Sequence, residues 1–243
     1  MPDDDTVGQA QSVASGEGTG SDTDTDTDTD TDSTVERPAH YFDDEPTAPS
    51  DPVVVDVTLP DVAFVMETDT AVFSRGHLDA GTSLLLRSDP PIAPTGHLLD
   101  LGCGAGPIAL AMALRAPGAT VWAVDVNRRA RDLTASNAER NGLSNIRVAA
   151  PGDVPPDVRF STIWSNPPIR IGKPALHVLL DDWLSRLADD GTAALVVHKH
   201  LGADSLQRWL TASGRPTQRS ASKSGFRVLS VRDVPGTSRN SSA

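Results

Sequence analysis

The sequence predicts a doubly wound α/β fold built on a mostly parallel sheet, and three observations predict it. Short apolar runs alternate with helical stretches between residues 97 and 232. Those runs are nearly continuous in apolar residues, as strands covered by helices on both faces require. A glycine-rich turn joins the first of them to the helix that follows, the ligand position of open α/β sheets.

The strands fall at residues 97–101, 120–125, 145–149, 160–165, 192–198 and 226–232. Helices occupy the intervals at 107–116, 128–141, 174–188 and 203–212, with Gly142 and Gly191 as stop signals for the second and third. Ahead of this series, residues 53–59 and 63–68 read as two strands broken by Pro60-Asp61, followed by a short helix at 81–87. The expected organisation is an acidic tail over 1–40, a β-rich extension over 41–95, a catalytic domain over 96–233 and a flexible tail over 234–243.

Charge is unevenly distributed. The chain carries 33 acidic and 21 basic residues, yet 14 of the acids and only one base, Arg37, lie in the first 50 positions. Asp and Thr alternate from Asp22 to Asp32, with too little apolar surface to offset chain entropy, so the tail is expected to be disordered. The remainder is nearly neutral. From Ser205 onward Asp233 is the only acid, set against Arg208, Arg215, Arg219, Lys223, Arg227, Arg232 and Arg239. That portion either attracts phosphates or solvates a surface. The single cysteine, Cys103, excludes a disulfide framework and points to a reducing compartment. The N-terminus lacks the basic-then-apolar order of a signal peptide, and no apolar run approaches the ~18–20 residues of a membrane span. A cytoplasmic protein is expected, without membrane contact.

The strongest local feature is Asp100-Leu101-Gly102-Cys103-Gly104-Ala105-Gly106. Glycines at Gly102, Gly104 and Gly106 let the backbone turn tightly and approach a ligand closely. Asp125 closes the next strand, where a carboxylate accepts from ribose hydroxyls. Nicotinamide and S-adenosylmethionine (SAM) enzymes share this geometry, and two details favour SAM. The spacing is Gly-x-Gly-x-Gly, not the spacing that sets a helix terminus on a pyrophosphate. Asp100 would also repel a diphosphate but suits the cationic methionine end of SAM. Cys103 reads as packing within this cofactor loop. Asp153, after the third strand, is either an acceptor for the adenine amino group or a turn residue.

After the fourth strand comes Asn166-Pro167-Pro168-Ile169-Arg170-Ile171-Gly172-Lys173. The prolines stiffen the chain and remove two donors, while Asn166 adds an amide oxygen. Asn166 and the Pro167 carbonyl can each accept one N–H of an exocyclic amine, favouring a tetrahedral nitrogen whose lone pair is free to attack. No strong base is needed, because the proton can leave after methyl transfer. Arg170 and Lys173 are either phosphate contacts at the rim or helix-entry surface charges. Lys199 follows the fifth strand, near the expected pocket. The neighbouring histidines, His198 and His200, lack a partner set for metal, so no metal is expected.

The loop from Asp100 to Gly106 together with the run from Asn166 to Lys173 resembles the methyltransferase small domain of 16S ribosomal RNA guanine-N2 methyltransferases. The run from Val72 to Thr82 is similar to that family's segment ahead of the cofactor loop. The resemblance implies a seven-stranded class I methyltransferase sheet with its last strand antiparallel. It also implies SAM at Gly102, Gly104, Gly106 and Asp125, a guanine amine at Asn166, Pro167 and Pro168, and ribosomal RNA or the small subunit as partner. Ile169 stands where many amine methyltransferases carry an aromatic residue, so Trp164 is an alternative stacking surface for the base. The longer relatives carry a second, degenerate domain. RNA selection is therefore expected from residues 51–95, the basic C-terminal region or the ribosomal subunit. Rival readings are a protein glutamine or DNA adenine N-methyltransferase, or an assembly factor that binds SAM or RNA without turnover.

Overall fold

A computed structural model describes residues 49–70, 72 and 76–232. The expected tails at 1–40 and 234–243, and positions 41–48 of the N-terminal extension, lie outside the described residues.

An antiparallel hairpin comes first, from β1 (Val53–Thr58) and β2 (Ala63–Thr68), and forms its own two-stranded sheet. Helix α1 (Ala80–Arg87) leads into the alternating series β3 (Thr95–Leu101), α2 (Pro107–Arg115), β4 (Gly118–Val124), α3 (Arg128–Arg140), β5 (Ile146–Ala149) and β6 (Phe160–Ser165). The chain continues through α4 (Lys173–Leu184), β7 (Leu187–His198), α5 (Ala203–Ala212), β8 (Thr217–Lys223) and β9 (Phe226–Arg232). Seven of these strands form one sheet in the order β5-β4-β3-β6-β7-β9-β8. The pairs from β5 to β7 are parallel, and β9 runs antiparallel to both of its neighbours.

Strand pleating decides what covers each face. Leu98, Val121 and Trp164 join one apolar layer with Leu85 and Leu86 of α1 and the alanine-rich face of α2. Their chain neighbours Leu99, Trp122 and Ile163 join the opposite layer, with Leu180 and Trp183 of α4 and Leu206 and Leu210 of α5. Successive side chains on a strand point to opposite faces, so both must be apolar when both faces are covered. Each fully buried Leu or Ile contributes roughly 1.5–3 kcal/mol.

The hairpin is fastened by side chains acting as a strand. Asn137 on α3 accepts from the Glu67 N–H at 2.7 Å and donates to the Glu67 carbonyl at 2.8 Å. Asn141, one helical turn later, does the same to Val65 at 3.0 and 2.7 Å. The free edge of β2 is thereby satisfied without a third strand.

Three elements, α4, β7 and β8, depart most from expectation. Helix α4 ends at Leu184, not 188, because the chain turns at Ser185 and Arg186 and Leu187 already pairs with Phe160. The β7 segment then bulges, with Asp190 at a φ of 63°, before pairing resumes at Thr192. Strand β8 supplies the seventh strand that the resemblance implies, at a position where the sequence showed none. Its sequence, Thr-Gln-Arg-Ser-Ala-Ser-Lys, has no apolar pattern because it is an exposed edge strand. A two-residue turn with positive φ at Ser224 and Gly225 joins it to β9.

Candidate active site

The cofactor loop is held by main-chain hydrogen bonds. The N–H groups of Gly102 and Cys103 both donate to the Val124 carbonyl at the end of β4, at 2.8 and 3.1 Å. Gly106 takes a φ of 88° as it enters α2, and a Cβ there would stand 2.9 Å from the Thr134 side chain of α3. Only glycine fits both demands. Thr134 in turn donates to the Gly104 carbonyl at 2.9 Å, and Asn137 donates to that of Ala105 at 2.9 Å.

Two carboxylates brace the loop. Asp125, following β4, accepts from the Gly104 N–H and the Asn127 N–H, both at 2.9 Å. Burial raises its affinity for a proton, against the pull of those hydrogen bonds and of Arg131. Asp100, fully buried at the C-terminal end of β3, accepts from the Ala109 N–H of α2 at 2.9 Å through one oxygen. Its other oxygen, Oδ1, is buried without a hydrogen-bond partner in the protein. Burial, and secondarily the charge of Asp125, push this acid up to about 8. A buried carboxylate with an unmatched oxygen beneath the loop fits a cationic ligand, whose positive charge would favour the ionised form. The fit is electrostatic: Asp100 lies under the loop and is not part of the cleft wall. Burial also pushes the Cys103 thiol well above its ordinary value, with Asp125 and Asp100 adding to the effect. Packed beside Thr134, this cysteine is unsuited to nucleophilic work.

Across the cleft stands the corner after β6. Gly102, Cys103, Gly104 and Asn166 line one cleft, and the Pro168 ring lies beside Gly102, its Cδ 4.0 Å from where a side chain there would begin. The sheet thus brings together the two motifs that lie 60 residues apart in the chain. Asn166 donates through Nδ2 to Asp79 Oδ1 at 3.1 Å and to Thr82 Oγ1 at 3.2 Å. The Pro167 carbonyl accepts from the Ile169 N–H at 2.8 Å, which leaves one of its two lone pairs for a substrate.

The other expected site residues lie outside this cleft wall. Asp153 is exposed in a short turn beyond β5. Arg170, Lys173 and Lys199 are exposed beyond the C-terminal ends of β6 and β7, with Lys173 reaching over Gly202. Ile169 is half-buried against the α4 side of the core. Trp164 is fully buried in the α1–α2 layer, so the expectation that it stacks on a base is corrected: no face of the ring is open. Lining residues that sequence reasoning did not assign are Met66, His77, Leu78, Asp79 and Thr82 ahead of the loop, and Ala105, Pro107 and Ile108 at its end. The available signal was Asp79-Ala80-Gly81-Thr82, an aspartate at a helix start.

Among the described residues, no group of three or more His, Cys, Asp or Glu is placed to hold a metal ion, and no helix is long and apolar enough to cross a membrane.

Comparison with known proteins accords with this geometry. A profile of the methyltransferase small domain matches residues 63–230. YbxB, an uncharacterized protein of Bacillus subtilis, is 31% identical over 198 residues, covering 80% of this chain and 98% of its own. The ribosomal RNA small subunit methyltransferase C of Ectopseudomonas mendocina is 36% identical over 166 residues, covering 66% of this chain and 49% of that protein. The chain thus spans about half the length of that methyltransferase. In fold, the chain is similar to the Thermus thermophilus 16S rRNA N2 G1207 methyltransferase solved with AdoMet and guanosine, at a TM-score of 0.64 and 23% identity. That match covers 78% of this chain and 52% of that one. The chain therefore belongs to the methyltransferase small domain family, and S-adenosylmethionine is its cofactor.

Proposed function

We propose that this protein transfers a methyl group to the exocyclic N2 amine of a guanine in small-subunit ribosomal RNA. The observation that carries the reading is the Asn166 amide, standing in the cleft wall beside the glycine loop with both donor contacts turned away toward α1. Its oxygen is the end left to accept an N–H from an amine. The second N–H is assigned to the remaining lone pair of the Pro167 carbonyl. Accepting both protons draws the nitrogen toward a tetrahedral shape and localises its lone pair, so the protein's contribution is orientation and electrostatics. When bound, S-adenosylmethionine supplies an electrophilic methyl on a sulfonium centre.

The residues assigned to hold that cofactor are Gly102, Cys103, Gly104 and Gly106 through the loop, Asp125 toward the ribose hydroxyls, Asp153 toward the adenine and Asp100 through its charge. Arg170, Lys173 and Lys199, exposed beyond the same strand ends, are assigned to RNA phosphates. A guanine within a helix must be unstacked to reach the corner, which loops and bulges make less costly. The name of the Ectopseudomonas mendocina relative supports small-subunit ribosomal RNA as the substrate, and that of the Thermus thermophilus neighbour, an N2 G1207 methyltransferase, supports guanine N2 as the target.

Labelled S-adenosylmethionine offered with small ribosomal subunits, free ribosomal RNA, DNA and a release-factor protein tests the proposal, with mass analysis of the modified product. The expected product is N2-methylguanosine in ribosomal RNA. Label on DNA adenine or on a protein glutamine would overturn the substrate. Retained cofactor binding without label anywhere would overturn the enzyme reading in favour of a binding module.

A further inference from the structure

The two ends of an asparagine amide are nearly isosteric, so its neighbours decide which end faces a substrate. Around Asn166 that decision belongs to Asp79. Thr82 Oγ1, at 3.2 Å from Nδ2, is a hydroxyl that donates or accepts and therefore tolerates either orientation. Asp79 Oδ1 is different. The same oxygen accepts the N–H groups of Gly81 at 2.9 Å and Thr82 at 3.1 Å as the cap of α1, and Asn166 Nδ2 at 3.1 Å. A reversed Asn166 would set its amide oxygen against this carboxylate oxygen and present N–H donors to a substrate amine that also donates.

The cap itself is fixed in place. A Cβ on Gly81 would lie 2.9 Å from the Phe226 ring of β9, so the start of α1 sits directly on the main sheet. The oxygen that orients the corner is thereby held by a helix cap and the sheet, 87 residues away in sequence from the amide it controls.

We infer that Asp79 is a positioning residue that locks the Asn166 amide with its oxygen toward the amine to be methylated, a role that rests on the N-methyltransferase reading above. The lock acts through the acceptor oxygen of Asp79, not through helix capping, and the two are separable by substitution. Asp79→Ser keeps a capping oxygen but shortens the reach to Asn166. Asp79→Asn keeps an oxygen that the two cap N–H groups hold in the same place.

The full chain is compared in these forms by steady-state kinetics on small subunits or ribosomal RNA, calorimetric binding of S-adenosylmethionine, thermal melting and NMR of the Asn166 side-chain amide. In Asp79→Ser, kcat is expected to fall about tenfold or more while KM and cofactor affinity stay within about threefold and the melting temperature changes little. Asp79→Asn recovers kcat to within about threefold of the parent. The side-chain amide protons, assigned by their loss in Asn166→Ala, exchange slowly with water in the parent and rapidly in Asp79→Ser. Parent kinetics in Asp79→Ser, equal damage in Asp79→Asn, or unchanged amide exchange would each overturn the lock. The NMR arm needs no substrate. Absence of methyl transfer by the parent protein thus sinks the function reading, while amide exchange still tests the lock.

Discussion

Around the cofactor loop the working atoms belong mostly to the main chain, whereas at the Asn166 corner they belong to side chains from segments far apart in sequence. The loop is shaped by N–H and carbonyl groups of Gly102, Cys103, Gly104 and Ala105, braced from β4 and α3. The corner depends on an amide just after β6 meeting a carboxylate and a hydroxyl from the start of α1. A main-chain site tolerates changes in its side chains except where a Cβ does not fit, as at Gly106. A side-chain site is lost with a single atom.

Substitutions sharpen this contrast. Asn166→Ala is expected to have the largest effect, lowering kcat by about a hundredfold or more (about 3 kcal/mol) with cofactor affinity nearly unchanged. Kinetics beside calorimetry check it, and equal losses in both would mean that the two sides are not independent. Asn137→Ala strikes the loop side, because this fully buried residue holds both Glu67 and Ala105. Losing three hydrogen bonds is expected to cost roughly 2–3 kcal/mol of stability in denaturant unfolding, and to weaken cofactor binding as well.

Asp100 gives the loop side a pH signature. Its acid is raised to about 8 in the folded state, so between its unfolded value of 3.8 and about 8 the folded chain holds a proton that the unfolded chain has released. The stability linked to that proton is fully present below the unfolded value and falls as pH rises toward 8, by up to about 1.4 kcal/mol per unit. Asp100→Asn removes this slope. Melting without cofactor should therefore show the variant gaining on the parent by about 2 kcal/mol from pH 6 to 7.5. A pH-independent difference would show that Asp100 does not titrate in this range. The smallest effect is expected at the exposed Arg140–Glu67 pair, 2.9 Å apart on the outside of the hairpin. Arg140→Ala should change stability by no more than a few tenths of a kcal/mol, and activity not at all.

The same contrast explains what was legible in the sequence. Phe160–Ser165, Ala203–Ala212 and Phe226–Arg232 match their expected bounds, because a strand or helix buried on a sheet carries its apolar pattern locally. The glycine loop and the Asn-Pro-Pro corner were legible for the same reason: each is a contiguous run with its own backbone demands. Asp79 was not assigned to the site, since nothing near it in the chain announces a partner 87 residues away. Strand β8 was missed because a polar edge strand lacks the pattern of a buried one. Trp164 was misassigned because an aromatic residue next to a site motif looks the same in sequence whether it faces cleft or core. Two residues apart, Trp164 and Asn166 both belong to the α1 side of the sheet; Trp164 lies within β6 under α1 and α2, whereas Asn166 follows the last strand residue and reaches the cleft at the start of α1.

The fastening of β2 to α3 depends on a coincidence of two rulers. Residues four apart on a helix are separated by about 6 Å along its axis, and residues two apart on a strand by nearly 7 Å. Asn137 and Asn141 can therefore meet Glu67 and Val65 in step, whereas asparagines spaced three or five apart would fall out of phase. Inserting one residue between positions 137 and 141 would rotate one contact about 100° around the helix and expose a row of bare amides on β2 to pairing with foreign strands.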